Sequence, residues 1–465
     1  MAVNRRHVIS DDDQNHSNLG KHRQYSLFLI PVLVTSLSCA ALLARADEPR
    51  ELEKEWLRSD PDIVVYLPRL GEHNDGDNEH FLVFPAPKSD ELLAMWTQSS
   101  VEAHGDNHIV LARSKDGENW SPPIWIHGSH KGTDQPQASW GFPVVSRQGR
   151  LYCFYASAAA GVPGGLSGVM GGHTSDDNGR TWVPGADTIV PATLRDPADL
   201  HSEEIGSFIV WQKPVRDGKG RWLAGFTRWT TADDVGSLFF MRFDNIDEGP
   251  DIGDLKITWL PDDGKGISLP RYVQPRTAEE PSVVLLPDGR LFTTMRTTTG
   301  YIWYSVSDDD GHHWRDPDVL RYQDHGEPVK QPLASCPVYP LQDGRFLLVF
   351  HNNDYHARHE LYGDAYPPQH PNIPMSKVFC YRRPAFFAVG EFRADAHQPI
   401  WFSQPKQILD TDGLPVGPKR TDEIATYPSM TDFHGRQVLW YPDRKYFLLG
   451  KYINDDVLTG MDVIE

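Results

Sequence analysis

The sequence predicts an all-β protein, a β-propeller, on three observations. A turn pattern, Ser-x-Asp-x-Gly-x-Thr-Trp, stands at residues 175–182, with Ser175, Asp177, Gly179, Thr181 and Trp182 in its fixed places. It recurs in full at 307–314, with His313 in the threonine place, and one residue shorter at 114–120. The spacing is regular: Asp116 to Asp177 is 61 residues, and Asp177 to Asp309 is 132, or two steps of 66. Finally, short apolar runs alternate with Gly, Pro, Asp and Asn turns throughout, and no segment sustains an apolar period of 3.6.

Each part of the turn has a local job. A short aspartate accepts backbone N–H bonds, and glycine reaches φ > 0 without a Cβ clash. The Thr-Trp that follows starts a strand whose indole can pack beneath the turn. Such turns lock hairpins, so their carboxylates are read as structural. A recurrence near 60 residues suits one four-stranded blade with its loops. Residues 47–465, at about 60 per blade, predict seven blades in preference to six.

The first 46 residues differ in kind. A polar lead ends at Lys21, His22 and Arg23, an apolar run follows from Tyr25 to Leu43, and Ala44-Arg45-Ala46 precedes Asp47. That order reads as a secretory signal, with an uncleaved N-terminal anchor as the competing reading. The expectation is a secreted or periplasmic monomer with no membrane association after cleavage. No composition shift marks a boundary within 47–465, which is read as one domain.

The formal net charge is −19. No Lys/Arg stripe accompanies it, which argues against a nucleic-acid partner. It does not exclude a small anionic ligand, because a pocket can concentrate arginine locally. Cys153, Cys336 and Cys380 are the cysteines after Ala46, an odd count that builds no disulfide framework. No zinc motif is present and no cofactor is implied; no spacing on the acidic loops requires a structural calcium.

In chain order, Ile63 to Tyr66 reads as a strand suited to closing the ring against the last blade. Runs at 81–84, 92–96 and 108–113 lead into the first turn pattern. Runs at 140–145 and 150–155 form the next hairpin, and a Gly/Ala-rich loop spans 156–172. Runs at 208–212 and 222–226 flank Asp217-Gly218. The clearest hairpin is 280–296, turning at Pro287-Asp288-Gly289, and two more turn at Asp343-Gly344 and His434-Gly435.

The turns and the 280–296 hairpin resemble the sialidase-like, Asp-box superfamily, and the likeness is spread over most of 47–465. The resemblance implies a sialidase-like β-propeller and a carbohydrate-active enzyme. Glu280 then matches a glutamate that activates a nucleophilic tyrosine, and Arg296 a member of a three-arginine carboxylate clamp. The segment 426–431 resembles the one bearing that tyrosine, which is Tyr427 here. Arg383, or Arg382 beside it, matches the third arginine. The first arginine has no match, since Glu79-His80-Phe81 stands in its place. The aspartic acid that protonates the leaving group is displaced, with Asp106 or Glu102 as candidates in the loop after 92–96.

The chain is also similar to relatives in that superfamily that cleave rhamnose–uronate polymers of the ulvan type. That likeness implies a lyase or glycosidase using His80 and His104, with Arg228 neutralising the uronate and Gln212 where a tyrosine would be expected. Histidine, titrating near 6.5, suits the base role. The leading expectation is a sialidase-type hydrolase on an anionic oligo- or polysaccharide. Tyr427, Glu280, His80, His104 and Asp106 are its candidate catalytic residues. Arg296, Arg383, Arg228, Gln212 and Glu102 are candidates for binding. A noncatalytic glycan-binding propeller is the reading from a different class.

Overall fold

The structure, a computed structural model, describes residues 54–69, 75–102, 104–129, 135–157, 169–189, 208–230, 235–273, 277–354 and 381–463. The leader read at 1–46, most of the 156–172 loop, and Cys380 lie outside the described residues. No helix among the described residues is long and apolar enough to cross a membrane.

The described residues form six antiparallel sheets of four or five strands, arranged as the blades of a propeller. Blade 1 comprises Asp77–Pro85, Leu92–Ser99, His108–Ser114 and Ile124–Gly128. Blade 2 starts with Ala138–Val145, Leu151–Ser157 and Val169–Ser175, edged by two short strands. Blade 3 holds Phe208–Ile209, Trp222–Thr230, Val235–Phe243 and Ile257–Leu260. Blade 4 holds Ala278–Leu285, Leu291–Thr297, Trp303–Ser307 and Asp318–Val319. Blade 5 contains Val338–Pro340, Phe346–Phe350, Ala385–Phe392 and Ile400–Phe402. Blade 6 contains Ser429–Phe433, Arg436–Asp443 and Phe447–Ile453.

The count of six corrects the expectation of seven. Length was divided evenly, but the chain is spent unevenly. Residues 351–384 connect two strands of one blade, and 410–428 pass from blade 5 to blade 6. Neither interval contributes a sheet among the described residues.

All three predicted turns are built as read. Ser175 Oγ donates to Asp177 Oδ1 at 2.8 Å and accepts from the Gly179 N–H at 2.8 Å. Asp177 also accepts from the N–H groups of Arg180 and Thr181, each at 2.9 Å. At the third turn His313 does what threonine does at the second: its N–H reaches Asp309 Oδ1 at 2.8 Å and its ring Oδ2 at 2.7 Å. Trp120 and Trp314 donate their indole N–H to Gly117 O and Gly311 O. The carboxylates are thus occupied by their own turns, in blades 1, 2 and 4. The 132-residue interval spans blade 3, whose corresponding turn runs through Asp244 and Asn245 into short 3-10 helices.

Apolar side chains fill the spaces between neighbouring blades. Leu93, Met95, Ile109 and Leu111 of blade 1, for example, pack with Leu151, Cys153 and Tyr155 of blade 2. Cys153 and Cys336 are buried free thiols. Near the axis, the Lys213 ammonium donates to Val83 O and Met430 O, both at 2.7 Å, tying blade 3 to blades 1 and 6.

The ring is closed by the first strand. Ile63–Tyr66 pairs antiparallel with Phe447–Ile453, so a sequence-remote segment completes blade 6. Ile63 and Val65 are buried against Trp96, Trp440 and Leu448. Closure removes the free edge that an open sheet would present. Ile63→Ala is therefore expected to lower the unfolding free energy by about 2–5 kcal/mol. Urea unfolding of residues 47–465 checks this; a loss below about 0.5 kcal/mol would mean that the strand does not carry the closure.

Candidate active site

Four blades begin their innermost segment with the same backbone device. His80, Trp140, Glu280 and Tyr427 are non-glycine residues at φ 54°, 57°, 52° and 61°. In blades 1, 2 and 4 the register with the next strand slips at that point, forming a bulge. A bulge re-aims a side chain out of the strand's alternation. Left-handed backbone at a bulky residue costs on the order of 1–3 kcal/mol and persists only where the surroundings hold it.

Hydroxyls from preceding blades supply that hold. Thr97 Oγ1 accepts the Trp140 N–H at 2.8 Å, Thr227 Oγ1 the Glu280 N–H at 2.6 Å, and Ser335 Oγ the Tyr427 N–H at 3.1 Å. The strained residues are therefore stitched across blade boundaries.

Tyr427 and Glu280, 147 positions apart in the chain, meet at 2.7 Å, the phenol donating to Glu280 Oε1. Arg296, from the second strand of the same blade as Glu280, donates from Nη1 to the phenol oxygen at 3.1 Å. The same nitrogen is 2.7 Å from Glu280 Oε1. The other edge of the guanidinium lies on Glu279 Oε2, through Nε at 2.8 Å and Nη2 at 2.6 Å. His80 stacks on the Tyr427 ring at 4.2 Å between centroids, and Trp211 lies at 5.9 Å. Lys445 Nζ stands 5.5 Å from the ring centroid.

Burial sets the electrostatics. Tyr427 is 5% exposed and Glu280 1%. Burial, opposed by Arg296, lifts the Glu280 carboxyl above the ordinary carboxylate range. Burial and then the Glu280 charge push the phenol above its usual value near 10, against the pull of Arg296, Arg382 and Lys445. A carboxylate of raised basicity, hydrogen-bonded to a phenol that also accepts from a guanidinium, is arranged to take that phenol's proton. Burial lowers His80, keeping the imidazole neutral.

A charge network flanks this centre. Lys445 Nζ bonds Glu79 Oε2 at 2.7 Å and Glu102 Oε1 at 3.0 Å. Lys419 pairs with Glu102 and lies 3.5 Å from Glu423. Arg382 donates to Glu423 Oε2 and to Leu333 O, each at 2.9 Å. Asp77 shares this network, and its carboxyl is pushed up to about 7 by burial and the Glu79 charge.

The predicted residues divide accordingly. Tyr427, Glu280, Arg296 and His80 come together, and Glu102 reaches the flank through Lys445. Arg383 does not face the centre: it lies on Asp410, with Nε at 3.0 Å and Nη2 at 2.9 Å, and Arg382 takes the inward place. Consecutive residues on extended backbone point to opposite sides, so the pair could not both face inward. His104 is exposed, with no hydrogen bond or ring contact to His80 among the described residues. Asp106 accepts the Ser100 N–H at 3.2 Å, its other oxygen buried without a partner among the described residues. Gln212 Oε1 accepts the Val283 N–H at 2.8 Å, a link between blades 3 and 4. Arg228 is buried on Trp222–Thr230, where burial brings its guanidinium down to about 10.

Sequence reading missed Glu279, Trp211, Lys419, Glu423 and Lys445. Glu279 was adjacent to a recognised residue. Lys445 sits at φ 51° in a tight turn of blade 6, and only the ring brings it to blade 1. No three His, Cys, Asp or Glu side chains among the described residues are grouped to hold a metal ion.

Six sheets closed by the first strand, Asp-box turns and this axial centre define a sialidase-like β-propeller. The chain belongs to the BNR repeat-like domain family, which it matches over residues 90–362. It is similar in structure to a protein of unknown function from Dyadobacter fermentans, at 15% identity and TM-score 0.55, over 84% of this chain and 98% of that one. It is also similar to the leech intramolecular trans-sialidase, at 14% identity and TM-score 0.54, over 86% and 72%. The NanB sialidase of Streptococcus pneumoniae matches at 13% identity and TM-score 0.55, over 84% and 71%. No curated protein matches the chain in sequence.

Thr227→Val leaves the Glu280 N–H buried without an acceptor, and is expected to cost about 1–3 kcal/mol of stability by urea unfolding. Asp77 gives a pH signature. The folded protein keeps its proton to about pH 7, whereas the unfolded chain releases it near 4. The folded state holds the extra proton between those values, so this group makes stability fall as pH rises from about 4 to 7. Asp77→Asn should flatten that part of the stability–pH curve; an unchanged slope would contradict the assignment.

Proposed function

We propose that this protein is a glycoside hydrolase that attacks the anomeric carbon with Tyr427, Glu280 serving as the base. The observation that carries the reading is the Tyr427–Glu280 hydrogen bond at 2.7 Å, with Arg296 on the same phenol oxygen. Sialidases among the structural neighbours lend the reading support at the level of the fold.

The chemistry takes two displacements. As Tyr427 Oη bonds to the anomeric carbon, its proton passes to Glu280 and the bond to the leaving oxygen breaks. Arg296 steadies the negative charge that develops on the phenol oxygen. Water then attacks the glycosyl–tyrosine, its proton passing to the carboxylate that protonated the leaving group (or to solvent where an aryl group left unaided), and the phenolate recovers its own from Glu280. The configuration is retained because the carbon is inverted twice. A natural leaving group needs a proton donor. Asp106 supports that role better than Glu102, since Glu102 is held by two ammonium groups and Asp106 keeps an oxygen free of partners among the described residues. Aryl leaving groups depart without such help, so aryl glycosides report the Tyr427 step alone.

The test is aglycone release by purified residues 47–465 across a panel of aryl glycosides. Tyr427→Phe is expected to reduce kcat by on the order of 10³ or more, and Glu280→Gln by about 10²–10⁴. Turnover that survives Tyr427→Phe would remove the tyrosine from the mechanism. Sugar binding without release from any glycoside would instead favour the noncatalytic reading.

A further inference from the structure

We infer that the sugar held against Tyr427 is uncharged, a hydroxylated ring with no carboxylate, an inference that rests on Tyr427 being the nucleophile. Its first support is the state of the cations. Carboxylate recognition by arginine uses two parallel N–H groups along one edge of the guanidinium. At Arg296 the Nε/Nη2 edge is occupied by Glu279 Oε2, and Nη1 is shared between the Tyr427 phenol and Glu280. Of five N–H donors, no paired edge remains for a ligand. Arg382 is committed through Nε to Leu333 O and through Nη1 to Glu423. Lys445 is bridged by Glu79 and Glu102, and Lys419 by Glu102 and Glu423.

Charge balance points the same way. With Asp77 holding its proton to about pH 7, the carboxylates of Glu79, Glu102, Glu279, Glu280 and Glu423 still outnumber Arg296, Arg382, Lys419 and Lys445, and burial keeps His80 neutral. An incoming carboxylate would enter a buried, net-negative group whose cations already have partners, with nothing to offset its loss of hydration.

The second support is the set of hydrogen-bonding valences left open. Glu280 Oε2, the Trp211 indole N–H and His80 Nε2 are buried without hydrogen-bond partners among the described residues, while His80 Nδ1 lies 3.6 Å from Glu79 Oε1. Glu280 Oε2 needs a donor, the indole needs an acceptor, and a neutral imidazole with its Nδ1–H toward Glu79 needs a donor at Nε2. Sugar hydroxyls both donate and accept, so a hydroxylated ring satisfies all three groups. A carboxylate only accepts, and would leave Glu280 Oε2 unmatched and facing a like charge.

The test uses two readouts on residues 47–465. In the first, aryl glycosides with one common leaving group are compared: uncharged hexosides, 6-deoxyhexosides and pentosides against an aryl sialoside and an aryl glucuronide. The expected result is Tyr427-dependent release from an uncharged glycoside, with kcat/KM at least 100-fold above either acid. Glu279→Ala, which frees an edge of Arg296, should narrow that gap by tenfold or more. Tyr427-dependent release that favours the sialoside or glucuronide would overturn the inference while leaving the nucleophile in place. The second readout needs no turnover. The Tyr427→Phe variant is titrated by thermal shift with the corresponding free sugars and with sialic and glucuronic acids at low ionic strength. A Tm rise with an uncharged sugar supports the inference. A rise with the acids alone, or with no sugar at all, counts against it. Release that is independent of Tyr427 would defeat the reading of the nucleophile instead.

Discussion

The structure depends on the hydrogen bond that one blade gives to the strained residue of the next. Thr227 accepts the N–H of Glu280, and Ser335 that of Tyr427. Each acceptor holds a bulky residue in left-handed backbone that it would otherwise leave. At Glu280 a bulge re-aims the side chain, and Tyr427, just ahead of Ser429–Phe433, takes the same left-handed backbone, so that the two side chains meet. The dyad therefore exists only when the ring is closed, because its two members come from blades 4 and 6.

Much of the fold was legible because its signals are local. An aspartate that accepts successive N–H groups needs its neighbours at fixed offsets, so the Asp-box turns are visible in single-residue spacing. Even the replacement of threonine by His313 preserves the function of the place, since either side chain can donate to the carboxylate. The number of blades was not legible. It depends on whether a stretch such as 410–428 forms a sheet or a connection, and that is decided by packing against neighbours distant in sequence. The strand at 63–66 was readable as a strand, and its partner at the far end of the chain follows from the ring.

The site shows the same division. Glu280, Arg296 and Tyr427 lie on segments with their own sequence pattern, so resemblance could reach them. Lys445 and Glu423 have no such pattern; each matters because the ring sets it beside blade 1 or blade 5. Arg382 and Arg383 illustrate a finer limit. Side-chain chemistry cannot choose between adjacent arginines, and only backbone direction puts one on Glu423 and the other on Asp410. The two histidines part for a related reason: His80 is fixed by a bulge in blade 1, whereas His104 sits exposed on a loop.

The nucleophile proposed at Tyr427 depends on left-handed backbone held across blade boundaries. Mass spectrometry of the protein incubated with an activated 2-deoxy-2-fluoro glycoside, which forms a slowly hydrolysed intermediate, addresses it most directly. One glycosyl adduct is expected, mapped to the peptide containing Tyr427, that disappears on turnover. An adduct on any other residue, or sustained turnover with none, would contradict it.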